Sequence, residues 1–306
     1  MSKKGRAGDS ESLIKACYST WGTRYYDDYY ESDSAYPPVH TDIVRRILER
    51  AAPQTLLDAG CGPASMLRDL PAIGRGRYGF DLTPEMIAEA RRVMALQDVP
   101  ETHFWEGSVL DPDAFRGPQG TPAAFDAVIC FGVLPHIPAD SDALVFERIH
   151  GALAEGGLVA IEGRNQLFAL FTLNRYSRNF FREALIREEA LLESAGDEKE
   201  KVRQSLQELD ERFRVDLPPR RKGYEDEPGY DEVLSRTHNP FEVMEAARNA
   251  GFRDVEVHFY HFHCLPPMFE SKFPSLFRKL SVEMENTGDW RGYFMASAFI
   301  LTGIKA

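Results

Sequence analysis

The stretch LLDAGCGPASML, residues 56–67, constrains this chain more than any other. Its apolar start suits a buried strand, Gly60 and Gly62 make a turn, and the residues that follow resume as a helix. Two glycines spaced this way let backbone pass close to a ligand, and the following helix aims its free amide groups at the same place. A strand, a glycine turn and a helix in succession commit the surrounding chain to a layered α/β architecture.

The neighbouring sequence repeats that alternation. HTDIVRRILERA (40–51) carries Ile43, Ile47 and Leu48 at helical spacing and is stopped by Pro53. Strand-like RYGFD leads into TPEMIAEARRVMAL, where the Thr83 hydroxyl is expected to cap the helix, Pro84 suits its first position and Glu85 adds charge to its first turn. THFWEGSVL, the doubly buried run FDAVICFGVL, the helix DSDALVFERIHGAL and the strand GGLVAIEG follow. Such alternation predicts a doubly wound parallel sheet with right-handed crossovers. A charged helical stretch interrupts it, then a helix (NPFEVMEAARNAG) and strands DVEVHFYHFHCL and YFMASAFILTGI resume. The segments expected are 1–39, a flexible N-terminus with a Tyr-rich cover; 40–163, the cofactor-binding core; 164–236, a helical insertion serving as lid or dimer element; and 237–306, the completion of the core sheet.

Lys and Arg total 36 against 48 Asp and Glu, a formal charge of −12 over 306 residues. That balance repels phosphate backbones and anionic lipid surfaces, so neither nucleic acid nor membrane is an expected partner. The four cysteines are far apart and form no C-x-x-C pair, which fits a reduced cytoplasm. No run approaches the ~20 apolar residues of a membrane helix, and the start, MSKKGRAGDSES, is expected to be disordered. A cytoplasmic protein, with a homodimer as one use for the inserted helices, is the expectation.

Nicotinamide, flavin and S-adenosylmethionine sites all use a glycine turn of this kind, so its neighbours decide. The third glycine of the dinucleotide fingerprint is replaced by Ser65, and Asp58 stands two residues before Gly60. A carboxylate there repels a diphosphate and suits a cofactor carrying an ammonium and a sulfonium. Asp81, 19 residues past Gly62, is placed to accept from both hydroxyls of a ribose. In order and spacing, LLDAGCGPA, GFDLTPEMIAEAR, FWEGSVLD, FDAVICFGVLPHI and LAEGGLVAIEG resemble the successive motifs of class I S-adenosylmethionine-dependent methyltransferases. The resemblance implies a seven-stranded, mostly parallel sheet whose last strand is antiparallel. It also implies that Asp58, Gly60 and Gly62 line the methionine end, Asp81 holds the ribose, Leu82 and Met86 pack on adenine, Ser108 and Val109 sit at the adenine edge, and Cys130 and Phe131 approach the amino group through their backbone. Two positions depart from the family pattern: Ala64 replaces a common glycine, and Ser108 replaces a common aspartate, which removes charge assistance from the adenine contact.

Methyl transfer asks the protein for position, a dry pocket and, where needed, removal of the acceptor's proton. The loops after the fourth and fifth strands nominate His136 as a base and Glu162, Arg164 and Asn165 as acceptor contacts. His136 serves equally as a loop histidine bonded to backbone, and Glu162 as an ion-pair partner of Arg164. Tyr176 in the insertion, His238 at a helix start, and Tyr25, Tyr26 and Tyr29 in the Tyr-rich cover complete the candidates, with surface, capping or strap roles as their alternatives. His258 and Cys264 alternate to one face of their strand and His261 and His263 to the other, so no metal site is expected. The expected activity is methyl transfer to a small molecule, with acidic balance favouring an amine such as that of an amino sugar. Alternatives are a small-molecule O-methyltransferase, a nicotinamide-dependent oxidoreductase and a non-catalytic S-adenosylmethionine-binding module.

Overall fold

In the computed structural model, residues 7–19, 25–26, 30, 37–74, 76–216 and 233–306 are described. Seven strands form one sheet: β1 (Thr55–Ala59), β2 (Gly76–Asp81), β3 (Phe104–Glu106), β4 (Phe125–Cys130), β5 (Leu153–Arg164), β6 (Phe252–Phe262) and β7 (Ala296–Lys305), in the order β3-β2-β1-β4-β5-β7-β6. The first five are parallel, and β7 runs antiparallel to both β5 and β6. Because the order reverses between β1 and β4, a crevice opens beyond their carboxyl ends, where α/β sheets bind ligands.

Strand alternation sorts the core. Leu57, Ala59, Val128, Cys130, Val159 and Ile161 face one side, under helices α5 (Asp142–Ala152) and α9 (Pro240–Asn249). Leu56, Ala127, Ile129, Leu158 and Ala160 face the other, under α2 (Val39–Ala51), α3 (Ser65–Asp69) and α4 (Pro84–Ala95). Burial on both faces explains why β1 and β4 read as unbroken apolar runs.

Between β5 and β6 lie α6 (Arg175–Phe180), α7 (Glu188–Ser194) and α8 (Lys199–Asp210). Arg178 and Arg182 donate to Asp210 at 3.1 and 2.8 Å, tying α6 and the turn after it to the end of α8. Asn174 caps α6 by accepting from the Tyr176 amide. Helix α10 (Pro274–Glu283) lies in the connection from β6 to β7.

Two local expectations change. Helix α1 (Ala7–Ser19) occupies half of the stretch expected to be a disordered start, and it packs against α4. The Thr83 side chain makes no cap bond to α4; its amide and hydroxyl turn back to Asp81, where a carboxylate offers the stronger acceptor.

Candidate functional site

A cleft of about 980 Å³, counted to where it opens to solvent, lies over the carboxyl ends of β1, β2 and β4. Three strand ends supply its floor. After β1, Gly60 (φ +85°) and Gly62 (φ +51°) make the turn, and a Cβ on Gly60 would meet Val133 Cγ2 at 2.3 Å. Ala64 then adopts φ +58°, a conformation that costs an alanine energy and a glycine almost none, which accounts for the glycine expected there.

Asp81 ends β2. One of its oxygens accepts from the Gly62 amide at 2.9 Å and the other from the Thr83 amide at 2.8 Å, so the carboxylate is fixed across the turn with lone pairs to spare. Burial raises its carboxyl above the usual range and the two amides oppose that rise. Asp58, on β1, is 2% exposed and has no hydrogen-bond partner among the described residues. Burial, then the neighbouring Asp81, push its carboxyl well above the usual range. A buried carboxylate in that state calls for a cation. Leu82, Met86, Val109 and Leu110 form an apolar wall, and Glu11 and Ser108 stand in the same cleft.

The opposite end is built by the segment after β4. Gly132 and Val133 lead into a tight turn, Leu134–His136, that delivers the His136 ring into the cleft. Its Nδ1 is 2.6 Å from the Leu234 carbonyl, an acceptor only, so the proton lies on Nδ1 and Nε2 presents its lone pair. That lone pair faces the Tyr18 hydroxyl at 2.9 Å. Burial first and the Arg164 cation second lower the imidazole to about 4, so it is neutral at physiological pH. Tyr18, Tyr25, Val133, Ile137 and Pro138 complete an aromatic and apolar surround.

The sequence candidates therefore separate. Asp58, Gly60, Gly62, Asp81, Leu82, Met86, Ser108, Val109, Phe131, Tyr25 and His136 line this one cleft. Cys130, Glu162, Arg164, Asn165, Tyr176 and His238 are not among its lining, and Tyr29 lies outside the described residues. Cys130 is fully buried in the core on the opposite face of the sheet from Phe131. Glu162 accepts from the Gly132 amide at 2.6 Å and from the Tyr260 hydroxyl, so it shapes the cleft wall from behind. Arg164 donates to the Ser235 hydroxyl in place of an ion pair with Glu162. Two placements correct the expectation of a ligand contact. The Asn165 amide donates to the carbonyls of Gly292, Tyr293 and Ala296 and its oxygen accepts from Leu167, which leaves it nothing to offer a substrate. His238 is 4% exposed and takes a hydrogen bond from Arg236 beside Asp142, while the capping is done by Asn239. Tyr176 is 57% exposed on α6, and Tyr26 donates to Asp69 under the Arg68 guanidinium. Sequence reasoning missed Glu11, Tyr18 and Tyr30 in the cleft; the spacing Glu11, Ile14, Tyr18 was the available signal, three lining residues at i, i+3 and i+7. His258 bonds Thr302 and His263 the His261 carbonyl.

Residues 57–159 match the family description "Methyltransferase domain". Over those residues the chain carries a methyltransferase domain. The chain is 28% identical over 151 residues to a ubiquinone biosynthesis O-methyltransferase of Xanthomonas campestris pv. campestris (strain B100), covering 47% of this chain and 59% of the relative. It is 30% identical over 139 residues to the protein of that description from Xylella fastidiosa (strain M23), covering 45% and 53%. It thus spans little more than half the length of these curated relatives. Among solved structures, a DhpI complex with SAH superposes with a TM-score of 0.52 at 15% identity, covering 99% of this chain and 98% of that one, a likeness of fold. The cleft fits S-adenosylmethionine on its own terms: a buried carboxylate with no partner among the described residues for a cation, a fixed carboxylate for two hydroxyls, and an apolar slot for a flat ring. Among the described residues, no helix is long and apolar enough to cross a membrane.

Proposed function

We propose that the protein transfers a methyl group from S-adenosylmethionine to a hydroxyl of a small, largely apolar acceptor. Bound in the cleft, the cofactor supplies an electrophilic methyl on a sulfonium. Asp58 is the counter-ion for its cationic end, Asp81 the acceptor for its ribose hydroxyls, and Leu82, Met86 and Val109 the wall for its adenine. The observation that carries the acceptor assignment is the Tyr18 phenol donating to the Nε2 of a neutral, tautomer-fixed His136. A hydroxyl needs a proton acceptor as it attacks, and this pair supplies a relay: the acceptor's proton passes to the Tyr18 oxygen as the Tyr18 proton passes to His136. The surround of Tyr25, Val133, Ile137 and Pro138 excludes water from that step.

An amine acceptor, favoured by the acidic composition, finds less support in the cleft. The carboxylates of the cleft stand away from the Tyr18–His136 pair or behind the wall: Asp81 is held at the glycine turn by two amides, Glu162 is bound to Gly132 and Tyr260, and Glu11 is tied to Ser108 at the opposite end. Asp58, which has no hydrogen-bond partner among the described residues, stands on the cofactor's side. The curated relatives, named as O-methyltransferases, support the same choice. The test is incubation with S-adenosylmethionine bearing a deuterated methyl and a panel of small phenols and primary amines, read by mass spectrometry. Label on oxygen is expected, with Tyr18→Phe lowering kcat by roughly 100-fold and leaving S-adenosylhomocysteine affinity within a few-fold. Label confined to nitrogen overturns the acceptor assignment; no S-adenosylhomocysteine binding overturns the cofactor assignment.

A further inference from the structure

Helix α1 enters the cleft with one face. Glu11 and Tyr18 are two turns apart on it, about 10 Å along the axis, with Ile14 between them, and all three line the cleft. Its two polar residues reach opposite ends. Tyr18 meets His136, as described. Glu11 Oε1 accepts from the Ser108 hydroxyl at 2.5 Å, beside the wall of Leu82, Met86 and Val109.

That contact settles what Ser108 can do. Its hydroxyl proton goes to Glu11 and one of its lone pairs takes the Leu110 amide at 3.1 Å, so the side chain is a bracket between the β3 loop and α1. What the bracket presents at the edge of the apolar slot is a carboxylate whose second oxygen has no hydrogen bond among the described residues. A carboxylate accepts a hydrogen bond from a neutral amino group more strongly than a hydroxyl does.

We infer that Glu11, carried by α1 and held in place by Ser108, is the acceptor for the exocyclic amino group of the cofactor's adenine. The inference rests on the cofactor placement proposed above. The carboxylate absent from position 108 is thereby supplied from a different part of the chain. One consequence is coupling: the helix that contacts adenine is also the helix that lays Tyr18 on His136, so an adenine-bearing cofactor favours the arrangement in which the proton relay is assembled.

The experiment compares binding of S-adenosylhomocysteine with that of S-inosylhomocysteine, in which a 6-oxo group replaces the amino group, by calorimetry. The wild-type protein is expected to prefer the adenine compound by at least about ten-fold. In Glu11→Gln the preference is expected to collapse or reverse, because an amide donates to the 6-oxo group. Adding Ser108→Asp to that variant is expected to restore it. A Glu11→Gln protein that keeps the wild-type preference, or that weakens both ligands equally, overturns the inference and leaves Glu11 as an anchor for α1. The cofactor reading fails separately, if the wild-type protein binds neither compound or if Asp81→Ala leaves both affinities unchanged.

Discussion

Asp58 is a buried carboxyl of the cleft with no hydrogen-bond partner among the described residues. Its carboxyl is raised above the unfolded value, so the ligand-free protein carries a proton there over a window where the unfolded chain does not. A ligand ammonium beside it favours the ionised form. Binding of S-adenosylhomocysteine is therefore expected to release a proton within that window, and affinity to rise with pH until Asp58 is ionised in the free protein. Calorimetry in buffers of different ionisation enthalpy reads the proton directly. In Asp58→Asn the release is expected to vanish and affinity to fall by about ten-fold or more, the loss of one charge-assisted contact; proton release that survives the substitution assigns it elsewhere. Asp58 and Asp81 were legible in the sequence because each is an acid at the carboxyl end of an apolar strand, a position that the fold always turns toward the crevice. His136 was legible for the same reason. Glu11 and Tyr18 were not, since their positions come from the cleft that α1 covers and not from the local pattern, and Asn165 was misread because its burial under the loop preceding β7 is a long-range fact.

The elements that carry the glycine turn were the most legible, because binary pattern and turn chemistry agree over residues 55–69. The turn also has the least tolerance. Gly60→Ala places a Cβ 2.3 Å from Val133 Cγ2 at a φ of +85°, so both sterics and backbone oppose it. Folding stability is expected to fall by about 1–3 kcal/mol, with S-adenosylhomocysteine affinity falling too, since Val133 leads into the His136 turn. Gly62→Ala makes the control: its Cβ meets nothing within 4 Å, and the cost is confined to the φ of +51°, about 1 kcal/mol. Thermal melts of both variants check the order, and equal melts remove Val133 as the cause. Helix α1 illustrates the opposite case. Polar and short of apolar stripe, its first half reads as unstructured, and what orders it is contact with α4 and with the two ends of the cleft.

Across the whole molecule, burying histidines sets the response to acid. His136 and His263 are lowered to about 4, and His238 and His261 to about 3, with desolvation the leading cause in each. An unfolded histidine titrates near 6.5. Between that value and about 4 the unfolded chain binds more protons than the folded one, so stability is fully present above pH 6.5 and is lost as pH falls through this window. For His136 and His238, both nearly sealed from solvent, the loss at pH 5 is on the order of 1–2 kcal/mol each. Two effects oppose it. Asp142, raised to about 6 by burial, makes the folded state favour a proton and returns roughly 1 kcal/mol, and Asp58, Asp69 and Asp81, also raised by burial, act in the same direction; the charge of −12 meanwhile shrinks toward a pI of about 5.2, relieving repulsion. Burial lowers His40, His103, His150 and His258 as well, so eight lowered imidazoles stand against the four raised carboxyls, and repulsion among solvated surface charges is screened by salt while desolvation is not. The urea midpoint at 0.15 M salt is therefore expected to drop between pH 7.5 and pH 5, and the drop to shrink in His238→Gln, which removes one titrating ring without touching the cleft. A midpoint that holds level across that range means the rings take up protons through local opening at no cost to the fold, and the segment 233–238 beside His136 is where hydrogen exchange would locate that opening.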